Sequence, residues 1–214
     1  LMDRIVAGGV AGDLDRVGLD AIGAQCDLLE REVRLLKDIY DDHSGLQDRF
    51  LTCGRLTPCT AGKLGVIGLA GRASSQAWDV RVQAKPAPYD LLDARMQTHK
   101  NGDVAARVIL RFEEIFESLR LIRAVIERIA PGEIAAALPA VPAFRTGLGW
   151  VEGWRGESVV ALESGEDGRI RNCHAHDPSW QNWPALGFAV INNIVPDFPL
   201  INKSFNLSYS GSDL

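Results

Sequence analysis

The sequence predicts a mainly α fold of the α+β type: a helical bundle around one long central helix, with a small three-stranded antiparallel meander. Three patterns predict it. Val104, Val108, Phe112, Ile115, Leu119, Ile122, Ile126 and Ile129 recur at spacings of four and three, which is one face of a helix over 103–130. Leu19, Ile22, Cys26, Leu29, Val33, Leu36 and Tyr40 repeat that period and predict a second long helix over 17–40. Beyond residue 142 the apolar period drops from helical to alternating, the signature of half-buried strands.

In chain order, Gly8-Gly9-Val10-Ala11-Gly12-Asp13 reads as a loop ahead of the first helix. Leu28, Leu35 and Ile39 flank that helix's stripe, and Asp41-Asp42-His43-Ser44-Gly45 ends it. The three acids and the histidine around residue 42 raise the question of a metal, but Asp and Ser are turn formers and a capping segment is the plainer reading. A short helix over 46–51 follows. Residues 57–73 are apolar and Gly-rich, with Gly62, Gly65, Gly68 and Gly71 every third position, a spacing that lets a backbone approach a ligand or another helix. The stretch has no Gly-Lys-Ser/Thr and no βαβ context, so it is not a phosphate loop.

Arg72, Asp79 and Arg81 then fall in a loop bounded by Gly71 and by Pro86 and Pro88. They are candidates for a buried charge constellation or for a loop-bracing ion pair. Asp103 is placed to cap the central helix after Asn101-Gly102, and Pro131-Gly132 stops it. Ile109, Phe116 and Val125 widen its stripe, while Arg107, Arg111, Glu113, Glu114 and Ser118 lie at its edges, most simply as a solvated, ion-paired face. An Ala/Pro linker over 138–142 leads to strands at 149–154, 157–162 and 169–174, with turns at 153–156 and 165–168. Cys173, His174 and His176 are close in sequence, yet the two histidines share a strand face opposite the cysteine, which argues against one shared ion. Asp177-Pro178-Ser179-Trp180 caps a last helix over 181–193, and the tail from Pro196 reads as extended and apolar enough to be buried. The chain is thus expected to be one domain: a helical core over 1–137, the meander over 138–176, and a C-terminal helix and tail over 177–214.

Bulk properties exclude several classes. The net charge of −5 and the lack of a Lys/Arg-rich run argue against nucleic acid. No apolar run approaches the ~18 residues of a membrane span. Leu1-Met2-Asp3-Arg4 does not open a signal peptide and does not resemble a natural start. Cys26, Cys53, Cys59 and Cys173 form no Cys-x-x-Cys pair, which suits free thiols in a reducing compartment and gives no zinc or iron–sulfur framework.

The motifs then carry a resemblance. Gly102-Asp103…Arg107…Arg111-Phe112-Glu113-Glu114…Ser118 resembles a helix of the large, 49 kDa-type subunit of respiratory complex I and of the large subunit of formate-hydrogenlyase-type membrane-bound [NiFe] hydrogenases. Gly71-Arg72-Ala73-Ser74…Asp79-Val80-Arg81 with Pro88-Tyr89 is similar to the family's G-R-A-S-G…D-x-R…P-Y loop, and Pro178-Ser179-Trp180-Gln181-Asn182 to its P-S-F-x-N. Gly8-Gly9-Val10…Asp13-Leu14 and Asp41-Asp42-His43-Ser44-Gly45…Asp48-Arg49 resemble the hydrogenase-type members in particular. The resemblance covers nearly the whole chain.

It implies a component of an NADH:quinone oxidoreductase-like or hydrogenase-related redox complex, with NAD and quinone chemistry in that complex. The chain would sit peripherally on the cytoplasmic face of the membrane beside an iron–sulfur small subunit and membrane-arm subunits, inactive in isolation. Arg72, Asp79, Arg81 and Glu114 would line its cavity or relay protons. Hydrogenases of the family hold nickel and iron with two Cys-x-x-Cys pairs; the C-terminal pair belongs where this chain has Ser208 and Gly211. A protonated hydroxyl does not replace a bridging thiolate and glycine offers no ligand, so the chain is expected to bind no metal or other cofactor itself, with quinone possible in the full complex. The N-terminal pair would lie upstream of residue 1, so a fragment of a larger subunit is expected. Glu152-Gly153-Trp154-Arg155-Gly156-Glu157 matches the hydrogenase turn that presents an arginine over the metal, where complex I typically has lysine, and makes Arg155 a further cavity candidate. A non-catalytic assembly subunit with the same fold is the alternative.

Overall fold

A computed structural model describes residues 4–212. The start at Leu1-Met2-Asp3 lies outside the described residues. The centre is helix α7, Val104–Arg128, which begins where the sequence predicts: the Asp103 carboxylate accepts from the Ala106 N–H at 2.8 Å. Helix α1, Arg16–Asp42, capped by Asp15 on the Gly18 N–H, lies along it. Arg123 of α7 pairs with both Asp27 and Glu30 of α1 at 2.8 Å, and Tyr40 packs against Phe112 and Phe50. His43 caps α2 (Ser44–Phe50) by accepting from the Leu46 N–H, in line with the capping reading of that acidic turn.

The Gly-rich segment folds into two short helices, α3 (Pro58–Leu64) and α4 (Gly68–Arg72). Gly65 ends α3 in the left-handed region at φ 63°. Backbone bonds then fasten the chain after α4 to the segment entering α7: the His99 N–H donates to the Arg72 carbonyl at 2.9 Å and the Gly102 N–H to the Ala73 carbonyl at 2.9 Å. Two single-turn helices, α5 (Val80–Gln83) and α6 (Tyr89–Leu92), complete the loop before α7.

The meander is β3 (Thr146–Gly153), β4 (Gly156–Ser164) and β5 (Ile170–His176), ordered β3-β4-β5 with every pair antiparallel. Glu152 stands opposite Glu157 beside the tight turn at Gly153 and Gly156. Helix α8, Pro178–Ala189, starts earlier and ends earlier than expected, because Asp177 itself caps it on the Ser179 N–H and Pro178 takes the first helical position.

Several expectations are corrected. The loop at 8–13 contains half of a small hairpin, β1 (Ile5–Val6) with β2 (Gly9–Val10), so the meander is not the sole sheet. The tail is not extended: residues Phe198–Phe205 form helix α9, with Pro199 in its first turn, Asn206 closing it at φ 55°, and Ile201, Ser204 and Phe205 turned inward. On α1 only Cys26 and Tyr40 of the predicted stripe are fully buried, and Leu28, Leu29, Leu35, Leu36 and Ile39 stay about half exposed. The solvated face assigned to α7 fails at Arg107, which is completely buried along with Ala106 and Leu110. Helices α1, α2, α4, α6 and α9 all pack on α7, so its N-terminal half has no free side, while Ile122, Val125 and Ile129 farther along remain partly open.

Candidate functional site

Arg72 leaves the end of α4 and enters the space between α7, α5 and the end of β3 with 1% of its side chain exposed. Its Nε donates to Glu114 Oε1 at 2.8 Å, and its Nη2 lies 2.7 Å from the same oxygen. Its Nη1 donates to Glu152 Oε1 at 2.8 Å and to the Trp78 carbonyl at 3.0 Å, and lies 3.6 Å from Asp79 Oδ2. Asp79, also 1% exposed, caps α5 and receives a two-pronged contact from Arg81: Nε at 3.0 Å and Nη2 at 2.7 Å. Glu152, with 2% of its side chain exposed, accepts in addition from the Val80 N–H at 3.2 Å.

Four of the sequence-predicted residues, Arg72, Asp79, Arg81 and Glu114, therefore meet in one buried charge cluster. The β3 strand adds a fifth, Glu152, which the motif resemblance did not single out because the arginine of its turn, Arg155, carried the match. Local sequence carries no signal for it, since its strand is exposed on both faces up to Val151 and Glu152 is buried only where the turn meets α4 and α5.

Electrostatics follow from burial and from three carboxylates meeting two guanidinium groups. Burial disfavours the Arg72 charge, but Glu114, Glu152 and Asp79 outweigh it and hold its pKa above the ordinary value. The hydrogen bonds from Arg81 to Asp79 raise its pKa against a burial cost. Burial pushes the Glu152 carboxyl above the usual carboxylate range; Arg72 and the Val80 N–H oppose that shift and Asp79 reinforces it. Both partners of the Arg72–Glu152 pair are thus raised. The two directions are compatible, because Arg72 has three anionic neighbours whereas Glu152 has one shared cation and an anionic neighbour of its own.

A second group of arginines secures the far wall. Arg107 donates to the Ser204 hydroxyl, the Gly102 carbonyl and the Gly54 carbonyl at 2.9, 2.7 and 2.9 Å, and lies over the Phe205 ring. Burial, with Arg111 nearby, lowers its pKa to about 9, which leaves it charged at neutral pH. Arg111 donates to the Ser204 carbonyl at 2.5 Å, at the C-terminal end of α9 where a cation is favoured. Arg155 does not join the Arg72 cluster. It donates through Nε to the Asn206 carbonyl at 2.6 Å while its guanidinium covers the Trp154 ring at 3.8 Å, so it is half-buried against the turn after α9.

Between these groups opens a cleft of about 410 Å³, walled by Arg81, Arg111, Glu114, Glu152, Trp154 and Asn206. Arg81 and Ser118 also line a second cleft of about 330 Å³, whose other walls are almost wholly apolar: Leu19 and Ile22 of α1, Tyr89, and Leu121, Ile122 and Val125 of α7 among them. Ile122, Val125, Ile126 and Ile129 of α7 thus face a space rather than a packed neighbour.

Ser208 and Gly211 lie in a closed turn. The Ser208 hydroxyl accepts from the Gly211 N–H at 3.1 Å and lies 3.2 Å from the Ser210 hydroxyl, while the Ser208 N–H donates to the Ser179 hydroxyl at 2.9 Å. A Cβ on Gly211 would fall 2.6 Å from Asp177 Cγ, so a side chain there would have to displace the Asp177 carboxylate that caps α8. His174 and His176 project to one face of β5, with His176 beside Trp180, as the alternation predicts.

Helices packed around a central α7, with a buried Arg/carboxylate cluster between them and a three-stranded sheet, define the fold in which the site is built. The family model for the respiratory-chain NADH dehydrogenase 49 Kd subunit matches residues 2–146, and the chain belongs to that family. It is 32% identical over 201 residues to the carbon monoxide-induced hydrogenase of Rhodospirillum rubrum, covering 93% of this chain and 55% of that protein. To formate hydrogenlyase subunit 5 of Escherichia coli it is 26% identical over 206 residues, covering 96% of this chain and 36% of the relative. To the NADH-quinone oxidoreductase C/D protein of Bacteroides fragilis it is 31% identical over 169 residues, covering 78% of this chain and 32% of the relative. The chain thus spans from about a third to just over half of these relatives. The same fold occurs in a structure of the membrane-bound sulfane sulfur reductase, an archaeal respiratory membrane complex, with a TM-score of 0.90 at 21% identity over 98% of this chain and 59% of that one. No helix among the described residues is long and apolar enough to cross a membrane.

Proposed function

We infer that the chain serves as part of the large subunit of a membrane-associated redox complex, and that its polar cleft receives the head of a quinone-type molecule whose apolar tail follows the second cleft. The observation that carries this reading is the shared wall: Arg81 and Ser118 line both spaces, so a charged, hydrogen-bonding chamber opens beside an apolar one. An amphipathic molecule fits such a pair, because a few polar groups orient the head while apolar walls bury the rest. Arg72, Asp79, Arg81 and Glu114 form the polar end, and Arg155 holds the adjoining turn. The relatives' names, a hydrogenase, a formate hydrogenlyase subunit and an NADH-quinone oxidoreductase subunit, support an electron-transfer setting. An iron–sulfur subunit and membrane-arm subunits as partners, and a peripheral position on the cytoplasmic face, belong to the same proposal.

The reading is tested by titrating the protein with a short-chain quinone and following tryptophan quenching, with Trp154→Phe isolating the share of Trp154, which stands at the cleft. Saturable quenching of Trp154 is expected, with its loss in Ser118→Phe, where the new ring fills the shared wall. Unsaturable quenching, equal in both proteins, would remove the reading.

The donor set at the hydrogenase-like turn does not fit a NiFe centre, since Ser208 supplies a hydroxyl and Gly211 no side chain. Elemental analysis of the purified protein is accordingly expected to find no nickel above background; stoichiometric nickel would overturn this.

One observation favours the alternative of an assembly subunit. Leu28, Leu35, Leu36 and Ile39 on α1, with Trp150, Val151 and Ile170 on the sheet, are exposed apolar side chains of the kind a partner subunit would cover. In that case Trp154 quenching would be unsaturable while the chain still assembled with its partners.

A further inference from the structure

We propose that Glu152 is the proton-exchanging group of the polar cleft: it takes up and releases a proton facing that space. The inference deepens the reading of the cleft as a redox-ligand chamber and rests on it for its biological meaning.

The three carboxylates are not equally compensated. Asp79 has both oxygens held by Arg81, through Nε at 3.0 Å and Nη2 at 2.7 Å, and its Oδ1 accepts as well from the Arg81 N–H at 2.9 Å. Glu114 takes two contacts from Arg72, at 2.8 and 2.7 Å, and its side chain remains 20% exposed. Arg111 contributes a second favourable charge beside it. Glu152 is nearly sealed from solvent and is held by the Nη1 of Arg72, which it shares with the Trp78 carbonyl, and by one longer bond from the Val80 N–H.

The charged groups facing it are Arg72 from α4, Asp79 and Arg81 from the start of α5, Glu114 and Arg111 from α7, and Glu157 opposite it in the sheet. Glu157 is itself engaged by the Trp78 indole N–H at 2.9 Å. Asp79 is held by Arg81, and Glu114 has Arg72 with Arg111 beside it, whereas Glu152 has only a share of Arg72. A proton from water, bound by a Glu152 oxygen, removes the least compensated of the three charges. Removing the Glu152 charge is cheapest because burial makes an under-compensated carboxylate the costliest form. Its place on the cleft wall gives that proton a route to a bound molecule or to solvent.

Proton exchange at Glu152 also predicts the sign of a stability change. A carboxyl whose folded pKa lies above its unfolded value stabilises the fold fully below the unfolded pKa, and that contribution is lost as pH rises through the folded pKa. The wild-type chain is therefore expected to lose thermal stability across that window, and Glu152→Gln, permanently neutral, to lose the dependence.

The test is an NMR titration of the ligand-free protein labelled with ¹³C at the glutamate carboxyls, in the wild type, Glu152→Gln and Glu114→Gln. One glutamate should titrate above the ordinary carboxylate range, vanish in Glu152→Gln and persist in Glu114→Gln. Absence of any up-shifted glutamate in the wild type would overturn the proposal, as would an up-shifted signal that survives Glu152→Gln. The wild-type spectrum stands even if a variant fails to fold. Because no ligand is present, failure here leaves quinone binding untouched, and failure of quinone binding leaves the titration untouched.

Discussion

Arg72→Ala should destabilise the chain by about 3–5 kcal/mol, the usual loss when one partner of a buried charge network is removed. The substitution leaves Glu114, Glu152 and Asp79 facing one another with only Arg81 between them, and it strips the Trp78 carbonyl of its donor. Chemical denaturation at neutral pH reads this loss directly. Part of it should be recovered in mild acid, since carboxylates deprived of their cation have folded pKa values above the unfolded ones and gain stability as they protonate. Asp79→Ala should cost about 3 kcal/mol or more for the complementary reason, an Arg81 guanidinium held in place without its anion. Losses under about 1 kcal/mol in both variants would mean that the cluster behaves as a solvent-screened surface network.

Gly68→Ala should cost about 3 kcal/mol and should displace the β3–β4 turn. Gly68 sits at φ 64°, where a non-glycine residue pays of order 1–2 kcal/mol. Its new Cβ would lie 1.9 Å from the Arg155 carbonyl oxygen, a backbone atom that cannot step aside alone. Relieving the clash moves the turn that carries both Arg155 and Glu152, at a further ~1–3 kcal/mol of overpacking. The measurement is a paired one: thermal denaturation for the cost, and the Glu152 carboxyl titration for the displacement. A variant with wild-type stability and an unchanged titration would show that this close approach is not what fixes the turn.

Much of the molecule is legible in its residues, and the boundary is physical. Helix α7 is legible because Asp103 caps it and its apolar period is sustained; α1 is legible through its apolar period alone, its Asp15 cap emerging only in the structure. Periodicity, however, reports amphipathicity and not which side is covered. Leu35, Leu36 and Ile39 fit a core stripe and remain about half exposed. Arg107 fits a solvated edge and is entirely buried, satisfied by the nearby Gly102 carbonyl and by the Gly54 carbonyl, the Ser204 hydroxyl and the Phe205 ring from distant segments. Helix α9 escapes a sequence reading although Pro199 and Asn206 are ordinary start and stop signals, because eight residues are too few to display a period. At the site, Arg72, Asp79, Arg81 and Glu114 stand out through a motif resemblance, and geometry then brings them together. Glu152 arrives from 72 residues away across the Val80 N–H bond, a contact that local sequence does not encode.

The shared wall between the two clefts is tested most directly by mapping a photoreactive short-chain quinone on the full-length protein in its native complex. The expected result is label on the peptides bearing Arg81 and Ser118, competed away by excess unlabelled quinone and lost in Ser118→Trp. Label confined to peptides remote from both clefts, or label at the clefts that competition does not reduce, would contradict it.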